Sequence, residues 1–105
     1  MKNIDQKEWR KLVATDSNAL IIDVRTLNEC EEGIIKNAVM IDFLNESKFI
    51  SEVEKLDKSK NYYVYCRSGN RSSKACKIFK KAGVNTIFNL LGGMLAWTGD
   101  IELPQ

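Results

Sequence analysis

Four short apolar runs, Ala19-Leu20-Ile21-Ile22, Ala38-Val39-Met40-Ile41, Tyr62-Tyr63-Val64-Tyr65 and Thr86-Ile87-Phe88-Asn89-Leu90-Leu91, alternate along this chain with segments whose apolar residues recur at helical spacing. No other feature limits the possible folds so strongly. Short runs bounded by polar residues read as strands, and the spacing between them reads as helices packed against those strands. Trp9, Leu12 and Val13 form one such stripe behind Asp5, a residue suited to capping a helix, and the stripe fades at Thr15-Asp16-Ser17-Asn18. The spacing predicts a helix of about ten residues there. Phe49, Ile50, Val53 and Leu56 mark a second helix over 47–56, while Ala75, Ile78, Phe79 and Ala82 mark a third that ends at Gly83. A short helical turn from Thr26 to Glu32 stops at Gly33, and Gly92-Gly93 opens a last helix containing Met94, Leu95 and Trp97. This pace of alternation implies an α/β fold, with a mostly parallel central sheet of about five strands, right-handed crossovers and helices on both faces.

With 105 residues, 44% of them hydrophobic, and a single Pro, the chain fits one domain over 1–105. Its start has no apolar stretch of signal-peptide length, and no uncharged run approaches the roughly 18 residues that cross a membrane, so a cytoplasmic protein without a membrane partner is expected. The cysteines, Cys30, Cys66 and Cys76, are odd in number and lack C-x-x-C spacing, which argues against a disulfide framework or a zinc ribbon. The absence of histidine excludes metal sites and the Ser-His and Cys-His catalytic arrangements. A cysteine enzyme built from this chain must lower its thiol pKa by other means.

Cys66-Arg67-Ser68-Gly69-Asn70-Arg71-Ser72 joins the strand at 62–65 to a helix that starts near Arg71. Ligands of such folds bind beyond the carboxyl ends of the strands. The first turn of a helix has N–H groups without intrahelical partners, and with the macrodipole they favour negative charge. A strand, a short Gly-containing loop and a helix start together form an anion cradle, filled either by the Cys66 thiolate or by an anionic substrate. The net charge is only +2, yet Arg67, Arg71, Lys74, Lys77, Lys80 and Lys81 stand with no acid among them between Cys66 and Val84. That local field favours a small anionic substrate. The plainer reading, a solvated helix face with Lys80 and Lys81 complementing the dipole, suits the lysines better than the two loop arginines. With the chain as a whole nearly neutral, nucleic acid is not an expected partner.

Asp23-Val24-Arg25 with Glu29 and Gly33 downstream, the loop from Cys66 to Ser72, and Gly92-Gly93-Met94 with Trp97 follow one another in order. Together they resemble a single-domain rhodanese, of the thiosulfate sulfurtransferase-like family, over about residues 4 to 99. The resemblance implies a persulfide mechanism without a cofactor. Cys66 would be the catalytic nucleophile, taking sulfane sulfur from a small anionic donor such as thiosulfate and passing it to cyanide, a thiol or a sulfur-relay protein. A helix start and nearby cations can lower a thiol pKa from about 8.5 toward neutrality. Arg67, Ser68, Gly69, Asn70, Arg71 and Ser72 would bind substrate. Ser68, Asn70 and Ser72 would act through their backbone, Ser72 or Ser73 would also cap the helix, and Gly69 would let the loop curl. The family pattern favours Arg71 over Arg67 as the oxyanion ligand, the alternative for Arg71 being an internal brace. Asp23, Arg25 and Glu29 would support the site, with Arg25 pairing to Glu29, and Gly92 and Gly93 would allow close backbone approach, with Trp97 in the core.

The chain departs from the family where a Gly-His-Ile-x-Gly-Ala stretch is usual and Gly33-Ile34-Ile35-Lys36-Asn37-Ala38 stands instead. That substitution bears on packing rather than chemistry. Cys30 reads as a small buried hydrophobe, and Cys76 lies too far along its helix for an easy disulfide with Cys66. A cysteine-dependent phosphatase or arsenate reductase-like enzyme on the same fold is the nearest rival. Its Cys-x5-Arg pattern would put arginine where Ser72 stands, whereas Arg71 comes one step earlier and gives a smaller cradle. A non-catalytic rhodanese-like binding module is the second rival, and the retained Cys66 argues against it.

Overall fold

A computed structural model describes residues 1–104. Strands β1 (Lys2–Ile4), β2 (Ala19–Asp23), β4 (Val39–Met40), β5 (Asn61–Tyr65) and β6 (Thr86–Leu90) form one sheet in the order β1-β6-β5-β2-β4, with every pairing parallel. The helices are α1 (Gln6–Thr15), α2 (Leu27–Cys30), α3 (Glu46–Glu54), α4 (Asn70–Lys81) and α5 (Gly93–Ala96). A second sheet pairs β3 (Ile34–Ile35) with β7 (Ile101–Glu102) in antiparallel fashion.

Strand β5 occupies the middle of the large sheet, and its alternation divides the core. Tyr62, Val64 and Cys66 face the side covered by α3 and α4, where Phe49, Val53, Ala75, Cys76 and Phe79 are buried. Tyr63 and Tyr65 face the other side, against Trp9 of α1, whose indole meets both rings edge-on at centroid distances of 5.4 and 6.2 Å. Strong burial of three tyrosines is possible because each hydroxyl finds an acceptor: Tyr62 the Asp57 carbonyl, Tyr63 the Asp16 carboxylate and Tyr65 the Asp23 carboxylate.

Local signals place the element ends. Asp5 caps α1, its carboxylate accepting from the Glu8 N–H at 2.9 Å. Thr26 and Glu29 close a capping box over α2, which is a single turn, shorter than the turn expected over 26–32. Helix α4 begins at Asn70 behind Gly69, whose φ of 108° only glycine adopts without strain, so neither Ser72 nor Ser73 is the cap. Trp97 lies just past α5 rather than within it, partly buried against the α1 side of the core. Asn37 stands where the family usually has its second glycine, and it takes a left-handed φ of 71°. Asparagine tolerates that conformation better than most residues, which preserves the turn. No helix among the described residues is long and apolar enough to cross a membrane.

Candidate active site

The carboxyl ends of β2 and β5 lie side by side, with Asp23 opposite Tyr65. Both strands continue directly into functional segments, β2 into Val24-Arg25 and β5 into Cys66. Asp23 is fully buried, and its carboxylate takes four donors. Arg25 supplies a guanidinium pair, with Nη2 at 2.7 Å, and its own backbone N–H at 3.0 Å, while the Tyr65 hydroxyl stands at 2.5 Å. A second Arg25 bond from Nη2 reaches the Gly33 carbonyl at 2.7 Å, and the Tyr65 oxygen accepts from the Ile35 N–H at 2.9 Å. These bonds tie the Gly33–Ile35 segment to the end of the central sheet. A buried pair so fully satisfied is a brace whose loss of one partner would be costly.

Glu29 does not pair with Arg25, contrary to the sequence expectation. Its carboxylate instead receives both arms of Arg71, Nη1 at 2.7 Å and Nη2 at 2.6 Å, and Arg25 reaches only the Glu29 backbone carbonyl at 3.4 Å. The reason is that Arg25 is already claimed by Asp23. The Arg71 bonds hold the Glu29 carboxyl down at about 2 against its burial, with the Thr26 N–H assisting. Arg71 is thus paired as the internal brace that the sequence left as its alternative role. Arg67 is exposed, and among the described residues its side chain has no hydrogen-bonded partner. It borders a cavity of about 260 Å³ together with Arg25, Glu29, Glu32, Met94 and Leu95.

Cys66 lies at the start of the loop with its sulfur turned inward. The Gly69 N–H donates to Sγ at 3.0 Å, and the Ser72 hydroxyl stands 3.4 Å away. Burial pushes this thiol up, but hydrogen bonds from the Ser72 side chain and from the backbone of Ser72, Gly69 and Ser68 outweigh it, and its pKa lies below the ordinary value. The other two cysteines behave oppositely: burial pushes Cys30 and Cys76 up to about 12. All three are unbridged.

The loop is clamped from outside by α5. The Met94 and Leu95 N–H groups donate to the carbonyls of Cys66 at 2.9 Å and Arg67 at 3.0 Å. So close an approach needs Gly93, because a Cβ there would sit 2.5 Å from the Arg67 oxygen and 2.6 Å from the Cys66 oxygen. Gly92 turns the chain into α5 at a φ of 79°. Ser68 and Asn70 are exposed on the loop. Asn89 of β6 is a site neighbour that sequence reasoning missed: buried, it accepts from the Ser72 hydroxyl at 2.5 Å. The signal was present as the one strongly polar residue within the run Ile87-Phe88-Asn89-Leu90-Leu91.

A parallel sheet covered on both faces, with a hydrogen-bonded cysteine one residue past its middle strand, defines a cysteine-loop α/β domain. The chain belongs to the rhodanese-like domain family, whose model matches residues 5–100, and within it to the rhodanese-like sulfurtransferases. It is 37% identical to the protein of Bacillus subtilis (strain 168) named "Putative sulfurtransferase YtwF", over 97% of this chain and 95% of that one. A sulfurtransferase of Allochromatium vinosum is 31% identical over 92% of this chain and 88% of its own length. The tRNA uridine(34) hydroxylase of Pelagibacter ubique is 33% identical, but the chain spans only 34% of that longer protein. The crystal structure of a rhodanese-like domain protein from Staphylococcus aureus superimposes with a TM-score of 0.85, at 29% identity and complete coverage of both chains.

Proposed function

We propose that this protein transfers sulfane sulfur through a persulfide on Cys66, with thiosulfate as donor and a thiol, free or on a relay protein, as acceptor. The observation that carries the reading is the Cys66 sulfur held by the Gly69 N–H and facing the Ser72 hydroxyl at the start of α4. Hydrogen bonds to the charged form favour the thiolate, which is the nucleophile. It attacks the outer sulfur of thiosulfate. The new bond joins Sγ to that sulfur, the sulfur–sulfur bond of the donor breaks, and its electron pair leaves with sulfite. An acceptor thiolate then attacks the terminal sulfur and returns Cys66 as thiolate.

The exposed Arg67 is the better candidate for the sulfonate end of the donor, since Arg71 is paired with Glu29. Backbone N–H groups of Ser68, Gly69 and Ser72, already directed at Cys66, would stabilise the persulfide anion. The test is intact mass after thiosulfate treatment. The protein should gain the mass of one sulfur atom, lose it to cyanide or dithiothreitol, and gain nothing as Cys66→Ala. An unchanged wild-type mass, or equal gain by the variant, overturns the reading.

A further inference from the structure

Ser72 has a single hydroxyl proton and two acceptors within reach of it. Its oxygen stands 3.4 Å from the sulfur of Cys66 and 2.5 Å from Oδ1 of Asn89. The orientation of the Asn89 amide is set from its other side, where Nδ2 donates to the Gly69 carbonyl at 3.3 Å and to Oδ1 of Asn3 at 2.9 Å. A backbone carbonyl can only accept, so nitrogen must face it and oxygen must face Ser72. Ser72 and Asn89 are 0% and 2% exposed, and bulk water does not relieve the competition.

We propose that Asn89 is a positioning residue for Cys66, acting through Ser72 by competing with the sulfur for the hydroxyl proton. While Cys66 is a thiol, Ser72 donates to Asn89 and leaves a lone pair toward the S–H. When the thiol loses its proton to solvent, the hydroxyl turns. Its bond to Asn89 breaks, a bond to the thiolate forms, and no atom is exchanged. Ionisation then carries the cost of leaving the Asn89 carbonyl without its donor, so Asn89 holds the thiol pKa above the value that Ser72 alone would set.

The charged and titratable groups around Cys66 are Arg67 in the loop, Arg71 and Cys76 on α4, Glu29 on α2, and the Asp23–Arg25 pair at the end of β2; α5 contributes only backbone N–H. None of them is hydrogen-bonded to Asn89, so a substitution at 89 leaves their charges in place.

The inference rests on Cys66 being the reactive thiol, but its test requires no sulfur transfer. Thiolate absorbance at 240 nm is titrated in the full chain, with Cys66→Ala subtracted; Cys30 and Cys76, pushed up to about 12, stay silent at lower pH. Asn89→Leu should lower the Cys66 pKa by about half to one unit, or roughly three- to ten-fold more thiolate below the pKa. Asn89→Asp, which keeps the shape and strengthens the acceptor, should raise it. In a Ser72→Ala background Asn89→Leu should shift nothing. An unchanged or raised pKa in Asn89→Leu, or the same fall without the serine hydroxyl, overturns the proposal. If the leucine variant does not fold, the aspartate variant decides: its charge alone raises the thiol pKa, so the rise must be larger with Ser72 than in the Ser72→Ala background, and an equal rise or none overturns the proposal. Failure of persulfide formation with these shifts intact would refute the function and leave this inference standing; the converse would refute only the inference.

Discussion

Replacing Glu29 by Gln tests whether the loop is held by the Arg71 pair. The amide keeps the shape, and its oxygen can still accept from the Thr26 N–H, which stands at 3.1 Å from Oε1 in the wild type. What disappears is the charge and one of the two bonds from Arg71. A carboxyl lowered from 4.5 to about 2 corresponds by linkage to at most about 3 kcal/mol. Both side chains keep about a quarter of their surface exposed, so solvent screens part of this, and about 1–2 kcal/mol is expected at pH 7. Because the folded pKa is the depressed one, the contribution is full above 4.5 and is lost as pH falls toward 2. Urea unfolding of wild type and Glu29→Gln should therefore differ by a constant amount from pH 7 down to about 5 and converge below that. Equal stabilities at pH 7, or a gap that widens on acidification, would refute the reasoning.

Gly93→Ala should cost about 2–4 kcal/mol in urea unfolding, from a left-handed φ and a Cβ driven into two backbone carbonyls, and should slow sulfur loading of Cys66. Alkylation by iodoacetamide near pH 8, mapped by peptide mass, should modify Cys66 and spare Cys30 and Cys76 until the protein is unfolded. Arg67→Ala should raise the KM for thiosulfate roughly ten-fold at low salt and flatten its dependence on ionic strength, with kcat little changed. A KM that does not move would assign the oxyanion to other groups.

The parts of the fold legible in the sequence were those with their own periodicity or punctuation. Asp5, Gly33, Gly83 and the stripe through Trp9 mark their elements without tertiary help, as do the apolar runs of β2, β5 and β6. Strand β1 was not legible because it is an edge strand with Ile4 as its one buried residue. Strands β3 and β7, two residues each, acquire strand character only when segments far apart in sequence meet. In the site, position along the chain identified Cys66 and its loop, because a strand end followed by a helix start is a local event. Partner choice was not local. Arg25 lies four residues from Glu29 and Arg71 lies forty-two away, yet Asp23 claims Arg25 and leaves Glu29 to the distant residue. Sequence distance cannot show that a nearer partner is already occupied.

That pairing changes how the thiol is activated. The basic loop suggested cations as the agents, but the charge of Arg71 is matched by Glu29 and that of Arg25 by Asp23. The groups that lower the Cys66 pKa are instead the Ser72 hydroxyl and the N–H dipoles of Ser72, Gly69 and Ser68. Dipoles fixed in a backbone neither titrate nor lose strength to salt as exposed charges do, and they need no rearrangement when charge moves from Sγ to a terminal persulfide sulfur. They do need a loop held in shape. Glu29 supplies that through Arg71 on one side, and α5 supplies it through the Met94 and Leu95 N–H groups on the other. The arginines then have separate tasks in the proposed reaction: two hold the geometry in which the backbone activates sulfur, and the third, exposed at the cavity, is the one whose charge an incoming anion meets.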